Sequence, residues 1–168
     1  MKTFKDSEGR PWEINLNIAT VKRVRDLVNV DLLKLDEAKD GNPPLLTLLA
    51  VDIELLCNVV FACVKPKADE RNVTDVQFGE SLGGDAILAA RSTFFDVLVD
   101  FFQSLGRTEL AQAIQAQETL ISNVVKRATV KVAAIDLDAM AAKAFSKIDG
   151  RLSTSTLESV ELTPTLLH

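Results

Sequence analysis

The sequence predicts a mainly α-helical protein with a small N-terminal β-hairpin, an α+β class. A compact helical domain is followed by C-terminal helices and a tail. Three observations predict this class: apolar residues recur at helical spacing over most of the chain, strict alternation is confined to residues 2–17, and the 168 residues are 47% apolar and 26% charged. A chain of this length and composition is long enough to bury a core of its own.

The hairpin is expected over residues 2–17. Phe4 precedes a polar turn, and Trp12 and Ile14 follow it in alternation with polar residues. Gly9 in the turn supplies the positive φ that a tight turn often needs. Because an isolated hairpin is only marginally stable, its apolar face is expected to lie on the helices.

Helical signals follow the hairpin. Asn17 is a predicted N-cap for a first short helix. Leu45–Val64 forms a strongly apolar helix in which Asp52 marks a kink or a second start, and Pro66 is expected to end it. Thr74 opens a sequence that resembles a capping box and predicts another short helix.

The most apolar stretch is residues 85–105, which contains four of the eight phenylalanines. On a helical wheel its apolar side chains spread over roughly 200°, whereas a surface helix typically has a stripe of about 100°. We therefore expect a central helix whose first role is burial in the core. If part of it also binds a partner, the expected edge comprises Arg91, Phe95 and Phe102.

Gly106 is expected to close the central helix. A long helix is predicted over Leu110–Val132 and another amphipathic one over Leu137–Lys147, before a Ser/Thr-rich end that lacks periodicity. The predicted organisation has three parts: a hairpin and helical core over residues 1–105, a helical extension over residues 106–150, and a flexible or partner-ordered tail over residues 151–168.

Charge and composition disfavour several classes of protein. The formal net charge is −5, which argues against non-specific binding to nucleic acid or to an anionic membrane. With no tyrosine and one tryptophan, the chain has few rings on which bases could stack. Acidic residues interrupt the longest apolar runs, so no transmembrane helix is predicted.

The residues also give little indication of catalysis, and we expect neither an enzyme nor a bound cofactor or metal. The only histidine is His168, which disfavours His-based triads and His-rich metal sites. Asp96 and Asp100 form a carboxylate pair one helical turn apart, which is interpreted as a solvated face. Cys57 and Cys63 lie about 9 Å apart along one predicted helix, too far to bridge, and indicate free thiols in a reducing compartment.

A basic cluster on the first helix has two interpretations. Lys22, Arg23 and Arg25 form either an ordinary solvated face or a docking patch for an acidic partner. The sequence also leaves open self-association through an apolar helix face.

Short motifs over about residues 1–105 resemble those of tail assembly chaperones from tailed bacteriophages and prophages. The motifs share their order and approximate spacing with that family. They are Phe4-x-Asp6-x-x-Gly9-Arg10-x-Trp12-x-Ile14, Lys22-Arg23-Val24-x-Asp26-Leu27, Val30-Asp31-Leu32-Leu33, Leu55-Leu56-x-x-Val59, Pro66-x-Ala68, Val73-x-Asp75-x-x-Phe78-Gly79, Gly84-Asp85-x-Ile87 and Asp100-Phe101-Phe102.

The resemblance implies a non-catalytic protein of the host bacterial cytoplasm. Such chaperones coat the apolar helical segments of the tape-measure protein, help to recruit tail-tube subunits, and are generally absent from the finished virion. Two other classes stay open. One is a phage structural protein retained in the particle, such as a connector, completion or decoration protein, and the other is an unrelated helical adaptor domain.

Overall fold

A computed structural model describes residues 1–38 and 41–133, and the side chains of residues 1–38 and 41–127. It is mainly helical with a small two-stranded antiparallel sheet at the N-terminus, which confirms the predicted class. The described elements are β1 (Lys2–Lys5), β2 (Pro11–Ile14), α1 (Ile18–Val28), α2 (Leu45–Val51), α3 (Ile53–Glu70), α4 (Asp75–Ser81), α5 (Asp85–Ser104) and α6 (Thr108–Ala133).

The hairpin pairs in the register that its alternation predicts. Phe4 lies opposite Trp12, both side chains are buried, and Gly9 in the turn has a φ of +79°. At the start of β1 the Lys2 ammonium lies 3.4 Å from a carboxylate oxygen of Asp96 and 3.3 Å from one of Asp100. The aspartate pair interpreted as a solvated face is therefore ion-paired to the hairpin, although both side chains stay more than half exposed.

The predicted helix over Leu45–Val64 is two helices, because Asp52 starts a second one. Asp52 has an extended backbone, and its side chain accepts a hydrogen bond from the backbone N–H of Leu55 at 2.9 Å, as an N-cap does. Within the described residues no single helix is long and apolar enough to cross a membrane. Only α2 and α3 together reach that length and hydropathy, and they are bent by 104°.

The prediction that Pro66 ends this helix is wrong, since α3 continues through it to Glu70. Proline lacks an N–H, so the carbonyl of Ala62, four residues earlier, loses its helical donor. Arg23 on α1 compensates, because its Nη1 donates to the carbonyl oxygens of Ala62 and Cys63, each at 3.3 Å. A side chain distant in sequence thus satisfies the acceptor that proline leaves open.

This compensation predicts a measurable coupling between Arg23 and Pro66. Arg23→Met should lower the free energy of unfolding by about 1–2 kcal/mol, because it leaves the partly buried carbonyl without a donor. In a Pro66→Ala background the restored N–H supplies that bond, so the cost of Arg23→Met should fall by about 1 kcal/mol. Urea unfolding of the four proteins in a double-mutant cycle measures the coupling, and additive effects would contradict it.

The core extends beyond residue 105, where the predicted boundary lay. Gly106, with a φ of +73°, turns the chain between α5 and α6, and Arg107 Nη1 donates to the carbonyl oxygen of Leu33 at 2.9 Å. Leu110 and Ile114 on α6 are buried in the same core as α5. The compact unit therefore runs from Met1 to Val124, because the first half of α6 is part of the core.

The second unit is Val125–His168, of which the structure describes the end of α6, Val125–Ala133. The predicted helix over Leu137–Lys147 and the predicted tail over residues 151–168 lie outside the described residues.

Candidate protein-docking groove

An open groove of about 880 Å³ lies between the end of α1, one face of α3 and the connection from α3 to α4. Its α3 residues fall on one helical stripe, with spacings of three and four. The residues that line it are Leu27, Val28, Asn58, Phe61, Ala62, Lys65, Asp69, Asn72, Val73, Thr74 and Asp75.

Two large apolar side chains in the groove remain in contact with solvent. Leu27 is 56% exposed and Phe61 is half-buried, with its ring centroid 5.4 Å from that of the buried Phe78. Helix α1 ends directly afterwards, because Asn29 adopts a left-handed conformation with a φ of 58°. Leu27 and Phe61 thus both line the groove, and neither side chain is fully buried.

Polar and charged groups border these apolar residues. Lys65 is ion-paired with Asp69, and its ammonium lies 5.9 Å from the centroid of the Phe61 ring. Asp75 lies in the first turn of α4, whose capping box begins at Thr74. The groove therefore combines exposed apolar side chains with polar and charged ones, as do surfaces that bind the apolar face of an amphipathic helix.

The structure does not place the predicted edge of α5 at this groove. Phe95 and Phe102 are 1% and 0% exposed, so the prediction that they form a partner-binding edge is corrected. The hairpin and α3 both pack on α5, and together they cover most of its wide apolar arc. Arg91 is half-buried and has no ion pair within the described part of the chain.

The predicted basic cluster is also divided among different contacts. Arg25 forms an ion pair with Asp31, with 2.8 Å between guanidinium nitrogen and carboxylate oxygen, and Arg23 donates to α3 carbonyls. Lys22 is exposed and has no ion pair among the described residues. The cluster is therefore not a continuous free patch, and each of its cations has a different environment.

The apolar spacing of α1 does not by itself predict the groove. Leu27 continues the apolar spacing of Val21 and Val24, which are buried, so its pattern predicted a core residue. At about 100° per residue, however, each three-residue step drifts about 60° around the helix. Leu27 and Ile18, nine residues apart, thus lie about 180° apart at opposite edges of the apolar face, and both are exposed. That drift is the signal that could have identified Leu27.

The thiols of α3 do not add reactive chemistry to this surface. Burial raises the pKa of Cys63 to about 12, and burial together with Glu54 raises the pKa of Cys57. Both side chains therefore stay protonated at neutral pH and are poor nucleophiles. In the described ranges, no three His, Cys, Asp or Glu residues converge in a way that could hold a metal ion.

No protein-family model matches the chain, no curated protein matches it, and no solved structure matches it. The geometry of the groove and the residue patterns are therefore the grounds for a functional proposal.

Proposed function

We propose that this protein is a phage tail assembly chaperone that binds a helical segment of the tape-measure protein, tail-tube subunits, or both. The observation that carries the proposal is the groove, in which exposed Leu27 and half-buried Phe61 are bordered by polar groups. The proposed role is non-catalytic, requires no cofactor, nucleic acid or membrane, and is exercised in the host bacterial cytoplasm.

Two physical arguments support this role. First, a chaperone for apolar helices needs exposed apolar surface in a confined place, and Leu27 and Phe61 provide it without requiring the core to open. Second, a net charge of −5 keeps such a protein soluble while it holds an apolar client. The motifs of residues 1–105 that resemble tail assembly chaperones point to the same class of client.

The proposal is tested by comparing lysate with purified particles. Tagged protein should be expressed in bacteria in which the tails are being assembled, and its bound proteins should be identified by mass spectrometry. We expect tape-measure or tail-tube protein in the bound fraction, and we expect this chain to be missing from purified particles. Presence in particles at a fixed stoichiometry would contradict the chaperone role and favour a structural protein retained in the virion.

A matched pair of variants then tests the groove. Leu27→Glu should abolish retention of the client, because it replaces an exposed apolar side chain of the groove with a carboxylate. Ile18→Glu is the control, since Ile18 is 52% exposed on the same helix and lies on its opposite edge. Equal loss of client in both variants would show that the groove is not the docking site, whereas the identity of the retained client tests the function itself.

A further inference from the structure

A second depression, of about 490 Å³, lies on the other side of α3, where the helix packs near β2 and the start of α1. Three cationic side chains line it, from three places in the fold: Arg23 on α1, Lys67 on α3, and Arg71 at the end of α3. Glu13 is the only carboxylate among its lining residues. The depression therefore has a local excess of positive charge in a protein whose net charge is −5.

The guanidinium groups of Arg23 and Arg71 have N–H donors that are not used in hydrogen bonds within the described residues. Arg71 Nη1 donates to the carbonyl oxygen of Pro11 at 2.8 Å, and Arg23 Nη1 donates to the two α3 carbonyls. Within the described residues, Nε and Nη2 of both arginines make no hydrogen bond. One nitrogen of each arginine therefore fixes the guanidinium in place. Its Nε and Nη2 remain available to donate to an incoming carboxylate.

Neutral donors surround the three cations. Thr3, Asn15 and Asn17 line the depression and are exposed, so their side chains can add hydrogen bonds to a bound peptide. The Lys67 ammonium is paired with Glu70 at the surface, where an exposed ion pair contributes little and can be exchanged for another partner.

We propose that this depression, defined by Arg23, Lys67 and Arg71, is a docking site for an acidic peptide segment of a partner protein. Charge complementarity carries the inference, because carboxylates are the groups that anchored guanidinium forks bind with two parallel hydrogen bonds. The site is independent of the groove at Leu27, because Lys65 and Lys67 point to sides of α3 about 160° apart. The protein thus has an apolar docking surface on one side of α3 and a basic one on the other.

The test uses the intact chain and a blocked octapeptide of alternating Glu and Gly, with a Gln-Gly octapeptide as the neutral probe. Trp12 is the only tryptophan, and the Arg71 guanidinium lies 4.9 Å from the centroid of its ring, so binding at Arg71 should change its emission. We expect a saturable change with the Glu peptide, weakened by salt, together with amide shifts at residues that line the depression.

Charge-reversal variants locate the binding. Lys67→Glu should lower the affinity for the Glu peptide about fivefold, which corresponds to about 1 kcal/mol for an exposed ion pair. Lys65→Glu makes the same charge change on the other side of α3 and should leave the affinity unchanged, and Lys67→Gln provides a milder variant if Lys67→Glu unfolds. Equal weakening in Lys65→Glu and Lys67→Glu, or equal binding of the Gln peptide, would overturn the proposal. The proposal would also be overturned if inorganic phosphate shifted these amide signals and the Glu peptide did not.

Discussion

Replacing Phe102 with alanine is expected to lower the free energy of unfolding by about 3–5 kcal/mol. The Phe102 ring is 0% exposed, and it packs edge-on against Phe101 with 5.4 Å between the ring centroids. The Arg107 guanidinium lies 5.4 Å from the same ring, at the corner between α5 and α6. The substitution therefore removes a buried ring and also loosens that corner. A loss of this size is a large share of the about 5–15 kcal/mol that stabilises a typical domain.

Urea unfolding followed by circular dichroism measures the loss, with Leu88→Ala as the control. Leu88 is on the same helix but is 36% exposed, so its truncation should cost less than about 1 kcal/mol. The comparison also decides between burial and partner binding for α5. If Phe102→Ala kept the stability of the parent protein but lost a partner, Phe102 would belong to a binding edge, as the sequence first indicated.

Local patterns were sufficient for the elements that depend on neighbours in sequence. Alternation in residues 2–17 predicted the hairpin, and the capping box at Thr74 predicted the start of α4, where the Thr74 side chain accepts from the backbone N–H of Gln77 at 3.2 Å. The wide apolar arc of residues 85–105 predicted a buried helix, and α5 is that helix. In each case the information lies within one turn or one helix.

Features that depend on distant groups were not predicted. Arg23 lies more than forty residues before Pro66 and donates to the carbonyl that proline leaves open, and no local pattern shows where that side chain points. Sequence spacing groups the same side chain with Lys22 and Arg25, as a solvated face or a docking patch, yet in the fold it lines one depression with Lys67 and Arg71. Neighbours in sequence were separated, and distant residues were brought together.

The candidate groove is not predicted from the sequence for a related reason. A sequence shows which side of a helix is apolar but not how much of that side its neighbours cover. The apolar spacing predicts a buried Leu27, which is exposed, and allows an exposed edge at Phe95 and Phe102, which are buried. Binding surfaces made of the uncovered edge of an apolar stripe are identified only after the packing is known.

Asp6 is expected to be the most important polar residue for stability, since the turn of the hairpin is built around its carboxylate. Oδ1 accepts from the backbone N–H groups of Glu8 at 3.0 Å and Arg10 at 2.9 Å, while Oδ2 accepts from Arg10 Nε at 2.7 Å and Trp12 Nε1 at 2.8 Å. The Asp6 side chain is 0% exposed. Asp6→Asn should lower the free energy of unfolding by about 3 kcal/mol at neutral pH, because two of these four donors then meet an amide NH₂ and Arg10 loses its buried counter-charge.

The same contacts give the pH dependence of this effect. Burial by itself raises the pKa of Asp6, but the hydrogen bonds from Trp12 and Arg10, together with the charge of Arg10, outweigh it and hold the pKa below the ordinary value of 3.8. The folded protein therefore binds this proton less readily than the unfolded chain. The contribution to stability is complete above the ordinary value and is lost as the pH falls from there through the pKa of the folded state.

A pH series of unfolding experiments tests this assignment. The free-energy difference between the parent protein and Asp6→Asn should be constant near neutrality and should shrink as the pH falls below 3.8, the ordinary value. The depressed pKa of Asp31, which burial raises and the Arg25 contacts lower, affects both proteins equally and cancels in the difference. Glu13→Gln, at an exposed position on β2, is the control for replacing a carboxylate by an amide, and it should cost less than about 1 kcal/mol at neutral pH. A gap that stayed constant through the acidic range would mean that the Asp6 network contributes through the shape of the turn and not through the charge of its carboxylate.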